Sequence, residues 1–113
     1  MENLKNNLET LKLICNCTKK TKTKQLIQKL GNENLIKTLN DCILNTLNGN
    51  INISHKDKIK LKKFKSFLRK ILKFKKIKDK KKLLVQQGHG FLPLILPGAI
   101  TLITALLDNF YKK

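Results

Sequence analysis

Residues 73–107 read KFKKIKDKKKLLVQQGHGFLPLILPGAITLITALL, and the fold turns on how this stretch divides. Its first ten residues hold seven lysines and one aspartate, whereas residues 91–107 carry no charge at all. A lysine run this dense repels itself, so it reads as a basic linker, extended or partly helical until a polyanion neutralises it. The seventeen uncharged residues would span about 26 Å as a helix, the lower limit for crossing a bilayer. Pro93 and Pro97-Gly98 interrupt them early, and a straight helix is predicted only from about Pro97.

Upstream, Ser54 followed by Asp57 resembles a capping box and opens a long helical pattern over about residues 55–76. Leu61, Phe64, Phe67, Leu68, Ile71 and Leu72 share one face of it, and lysines cover much of the rest. Solvated helices normally interleave Glu with Lys at i and i+4, but this one has a single Asp at its start. Further upstream, Leu4, Leu8, Leu11 and Cys15 recur at helical spacing, as do Leu26, Ile27 and Leu30 before Gly31, a residue suited to a helix C-cap. A third helix is predicted over about residues 34–47, with Leu35, Ile36, Leu39, Ile43, Leu44 and Leu47 as its stripe and Asn48-Gly49-Asn50 as its stop. The predicted class is all-α: a small bundle of three short helices plus one long basic helix, a basic linker and a C-terminal hydrophobic helix. The corresponding units are residues 1–53, 54–82, a glycine-containing joint at 83–90, the hydrophobic segment 91–107 and a tail at 108–113.

Charge is distributed unevenly. The 25 Lys and Arg against 7 Asp and Glu give a net charge of +18, of which +13 falls in residues 54–90 and only +4 in residues 1–53. Such self-repulsion in a chain of 113 residues implies a polyanionic partner, nucleic acid or anionic lipid. The candidate phosphate contacts are Lys56, Lys58, Lys60, Lys62, Lys63, Lys65, Arg69 and Lys70, continuing through Lys73, Lys75, Lys76, Lys78, Lys80, Lys81 and Lys82. Arg69 is the only arginine, so bidentate reading of guanine edges is largely missing and binding is expected to ignore sequence. An AT-rich coding bias accounts for Lys in place of Arg, but not for the scarcity of acids.

Enzymatic chemistry finds no support in the residues: there is no acidic dyad, no nucleophile and base pair, and no phosphate-cradling glycine loop. Cys15-x-Cys17 lacks the second pair that a zinc site needs, Cys42 reads as a small buried hydrophobe, and His55 and His89 complete no ligand set. No metal or cofactor is expected. Residues 1–10 do not resemble a secretory leader, and reduced thiols in cytosol or nucleus are the default.

The stretch from Lys76 to Leu106, with Gly88-His89-Gly90-Phe91-Leu92-Pro93 at its centre and Leu94-Ile95-Leu96-Pro97 after it, resembles the precursors of the adenovirus core protein mu (protein X). It is similar also to their homologues in adintoviruses and Polinton (Maverick) elements. In that family a basic DNA-condensing part precedes a glycine pair and a hydrophobic segment beginning Phe/Ile-Leu-Pro. The resemblance implies a virion core protein that compacts double-stranded DNA, located in the virion core and host nucleus. It further implies cleavage after His89 by an adenain-type cysteine protease, with Gly88 and Gly90 at the two glycine positions. His89 stands between glycines that are often adjacent in the family, and residues 1–53 lie outside the adenoviral pattern.

Two other readings compete. A membrane-associated or membrane-disrupting protein would use the basic helix together with Phe91, Leu92, Pro93, Leu94, Ile95, Leu96 and Pro97, a segment that could equally meet capsid proteins. A helical interaction module would account for residues 1–53 but leave the charge unused. At residues 88–90 the plain alternative to a processing site is a flexible joint.

Overall fold

The computed structural model describes the backbone of residues 2–111 and the side chains of residues 7–105 and Asp108. Leu4, Leu106, Leu107, Lys112 and Lys113, which belong to the predicted first stripe, hydrophobic segment and tail, have side chains outside that set. Among the described residues all regular structure is helical. Helix α1 (Glu2–Cys15) is followed by α2 (Lys20–Leu30) and α3 (Glu33–Leu47). Next come α4 (His55–Leu61), a 3₁₀ turn (Lys62–Phe64), α5 (Lys65–Lys73) and α6 (Ile77–Tyr111).

The N-terminal helices form where their apolar spacing places them. Leu8 and Leu11 of α1 are buried, with Ile14 buried where Cys15 was expected and Cys15 half-buried, and Leu35, Ile36, Leu39 and Ile43 of α3 are buried too, whereas Leu30 and Leu44 of the expected stripes are 38% and 43% exposed. Asn32 caps α3, its Oδ1 accepting the Leu35 N–H at 2.8 Å. The buried Asn7 amide donates to Thr38 Oγ1 at 2.8 Å and joins α1 to α3. Helix α2 ends at Gly31, whose N–H donates to the Ile27 carbonyl at 2.9 Å. A Cβ at Gly31 would collide with that same carbonyl oxygen, so glycine is needed there for close approach.

The helix expected over residues 55–76 is instead α4, the 3₁₀ turn and α5, ending at Lys73. Ser54 opens it, its Oγ accepting the Asp57 N–H at 3.2 Å. The turn's tighter three-residue repeat keeps Leu61 and Phe64 on one side, where Leu61 is buried and Phe64 reaches Phe91 at 6.0 Å between ring centroids. Phe67 meets Phe91 at 6.2 Å, a second tilted pair.

The basic linker, joint and separate hydrophobic segment are not separate in the structure. Only residues 74–76 are non-helical, and α6 then runs 35 residues through the lysines, the glycines and both prolines. It packs against every other helix and is the axis of the bundle. Lys80, Leu83, Leu84, Gly88, Phe91, Leu92, Ile95, Leu96, Ala99 and Ile103 are buried at three-to-four spacing. Pro93, Pro97 and Thr101, four apart, lie on the exposed face.

Energy decides against the expected break. Each proline in a helix interior costs about 3 kcal/mol, but Phe91, Leu92, Ile95 and Leu96 are fully buried, each worth about 1.5–3 kcal/mol. The carbonyls that the prolines leave without an intrahelical donor are those of His89 and Pro93, and both proline side chains are exposed, clear of the packed stripe. Residues 88–90 are a packing point and not a hinge. A Cβ on Gly88 would lie 3.0 Å from Ile27 Cδ1, and one on Gly90 would lie 2.8 Å from Phe64 Cζ. Gly98 serves the same end further on, since its Cβ would lie 2.5 Å from the Asn52 carbonyl oxygen.

Candidate nucleic-acid interface

The inward apolar stripe of α4, the 3₁₀ turn and α5 leaves their lysines on the outside. Lys56, Lys58, Lys60, Lys62, Lys63, Lys65, Arg69, Lys70 and Lys73 are all exposed, as are Lys75 and Lys76 of the connection and Lys78 and Lys82 of α6. Thirteen of the fifteen predicted phosphate-binding residues therefore face solvent. Asp57 and Asp79, the acids of this region, enter no ion pair among the described residues. The two ion pairs that are described, Lys12–Glu9 at 3.7 Å and Lys37–Glu33 at 3.1 Å, lie on α1 and α3 and are too exposed to contribute much. The field of this surface is uncompensated positive charge, suited to a string of phosphates.

Lys80 and Lys81 are corrections to the predicted set. Lys80 is 8% exposed, and its Nζ donates to Asn40 Oδ1 at 2.7 Å and to the Ile71 carbonyl at 2.9 Å. A third, longer bond at 3.5 Å reaches the Leu72 carbonyl. It thus caps the C-terminus of α5, where a cation also meets the negative end of the helix dipole. Burial pulls the Lys80 ammonium below its ordinary value. Lys81, half-buried, donates through Nζ to the Gln28 carbonyl at 3.1 Å near the end of α2. Lys80 is spent inside the bundle, and Lys81 is engaged at its edge.

A second set of lysines lies outside the predicted phosphate-binding residues. Lys19, Lys20, Lys22 and Lys29 of the α2 region are exposed and Lys24 is half-buried. Their signal is present in the sequence, because residues 10–32 contain no acid, but averaging charge over residues 1–53 hides it.

Residues 88–90 lie in the middle of α6, with Gly88 buried and His89 and Gly90 half-buried. Proteases take extended chain, so this bond is closed to them while the bundle is intact. His89 Nδ1 is buried without a hydrogen-bond partner. Burial foremost, then the charges of Lys20 and Lys24, lower the His89 pKa below 6.5. Between that lowered value and 6.5 the unfolded chain holds a proton that the folded chain lacks, so stability present above 6.5 is lost as pH falls through this window. Thermal melts taken at about pH 7.5 and about pH 5.5 are expected to show a lower Tm at the acid end, and the difference should shrink in His89→Gln.

Cys42 is buried and its pKa is pushed up to about 12, by burial first and then by the Asp41 charge, while burial also raises Cys15. Among the described residues no three His, Cys, Asp or Glu side chains cluster closely enough to hold a metal. No protein-family model, curated protein or solved structure matches this chain.

Proposed function

We propose that this chain is a non-enzymatic protein that binds double-stranded DNA without regard to sequence and compacts it, as a core protein of a virus or virus-like mobile element. The observation that carries the reading is the set of thirteen exposed basic side chains on α4, the 3₁₀ turn, α5, the connection at residues 74–76 and the start of α6, with no acidic partner among the described residues. Lysine ammonium groups bind phosphate as point charges, and a single arginine leaves little means of reading base edges. The resemblance of residues 76–106 to the mu precursors adds the viral setting, the virion core and host nucleus. Processing after His89 by an adenain-type protease then requires a chain not yet folded, or one locally opened.

The alternative of a membrane-active protein draws on α6, which contains an apolar window of mean hydropathy 1.4 within Ile77–Ala105. Burial of Phe91, Leu92, Ile95 and Leu96 counts against it, since a bilayer could reach them only by opening the bundle.

Duplex binding measured across a salt series, with several scrambled sequences, tests the proposal. If about half of the thirteen exposed cations engage phosphate together, log K should fall with log salt at a slope of about −6, equally for every sequence. Weak, salt-insensitive binding would remove the nucleic-acid reading.

A further inference from the structure

We propose that the bundle carries two separate duplex-binding faces, one on α4–α5 and a second on α2, so that a single chain bridges two DNA segments. The inference rests on the duplex-binding reading above, and it assigns a site to residues outside the predicted set.

The glycines of α6 set the geometry. Ile27 of α2 packs over Gly88, and Phe64 of the 3₁₀ turn packs over Gly90. Gly90 is turned about 200° from Gly88, and Phe91, which Phe64 and Phe67 also meet, about 300°, so α2 and the α4–α5 unit press on different sides of α6. The other packing agrees: α2 lies on α1 and α6, whereas α5 lies on α3 and α6. With Thr23 and Ile27 turned inward, Lys19, Lys22 and Lys29 are exposed on their side, and Lys20, also exposed, lies close enough to α6 for its charge to act on His89. Lys62, Lys63, Arg69 and Lys70 are exposed on the other.

The molecule measures 40 × 32 × 28 Å along its principal axes, so faces on different sides of the bundle have room to lie farther apart than the Debye length of about 10 Å at 0.1 M salt. Lys81 joins α6 to the end of α2 through the Gln28 carbonyl, and the buried Lys80 joins it to the end of α5 through the Ile71 carbonyl.

The test uses the full chain, one duplex fixed to beads and a second, fluorescent duplex in solution. Wild-type protein is expected to capture the second duplex on the first. Lys19→Gln, Lys20→Gln, Lys22→Gln and Lys29→Gln together should lower that capture at least tenfold while leaving affinity for a single free duplex within a few-fold; helical circular dichroism checks that the variant is folded. Undiminished capture by the variant overturns the proposal. So does an equal loss of single-duplex affinity, which would make α2 part of one continuous site, and so does sedimentation showing that the bridging species contains two chains. Failure of the wild type to bind any duplex would instead bring down the duplex-binding reading itself.

Discussion

Replacement of Lys62, Lys63, Arg69 and Lys70 by glutamine together is expected to lower duplex affinity about a thousandfold at about 0.1 M salt. Each neutralised phosphate contributes about 0.9 to the slope of log K against log salt, so removing four cations should flatten the slope by about 3 to 4 units and lower K by about three powers of ten. None of the four side chains contributes to the core, and each is exposed on α4–α5 or the turn between them. Stability should stay within about 0.5 kcal/mol of wild type, or rise slightly as like charges are removed. Titration of a labelled duplex at several salt concentrations reads both slope and affinity, and an unchanged slope would place the phosphate-binding surface elsewhere.

Lys80→Met is expected to do the reverse, lowering stability by about 2 kcal/mol while leaving the salt slope unchanged. Methionine fills the volume of the lysine stem but supplies no donor. The Ile71 carbonyl, the Leu72 carbonyl and Asn40 Oδ1 would each be deprived of the bond from Nζ. An acceptor left buried without a partner costs about 1–3 kcal/mol, partly offset because the ammonium no longer has to be desolvated. Urea unfolding followed by circular dichroism would show the midpoint shift, and Lys82→Met, at an exposed position two residues on, is the comparison. Equal effects of the two substitutions would mean that Lys80 is an ordinary surface lysine.

That contrast marks where the sequence was legible. Helices α1 to α3 follow from leucine and isoleucine spacing, and the ends of α2 and α3 from Gly31 and Gly49, because local rules govern them; the Asn32 cap, which starts α3 at Glu33, went unread. The thirteen exposed cations could be read in the same way, since a lysine on a helix with one apolar stripe faces water unless a specific acceptor waits inside. For Lys80 such acceptors exist, but Asn40 lies forty residues away and the free carbonyls of α5 exist only because that helix ends at Lys73. Composition cannot show this.

The uncharged segment misled for a related reason. Two prolines look like a break when judged alone, yet the helix runs through them. The positions tell more: Pro93, Pro97 and Thr101 repeat every four residues, while Phe91, Leu92, Ile95, Leu96 and Ala99 take the complementary places. Extended back through Gly88 and Leu84, the same register reaches Lys80. The amphipathic period was therefore written across the boundary between lysine run and hydrophobic run, where a change of composition conceals it.

The place of α6 in the chain has a consequence for how the protein is made. This helix is translated after all the helices that lean on it, and α1 meets it only across most of the chain's length. Until its inner stripe leaves the ribosome, the leucines and isoleucines of α1 to α5 have little to close around, and short helices on their own are marginal in water. Much of the tertiary structure then waits on α6, with the entropy of long loops given up before the packing returns it. Newly synthesised chains would pass through an interval in which apolar stripes and unscreened lysines are both open to the surroundings, and rapid closure on α6 is what ends it.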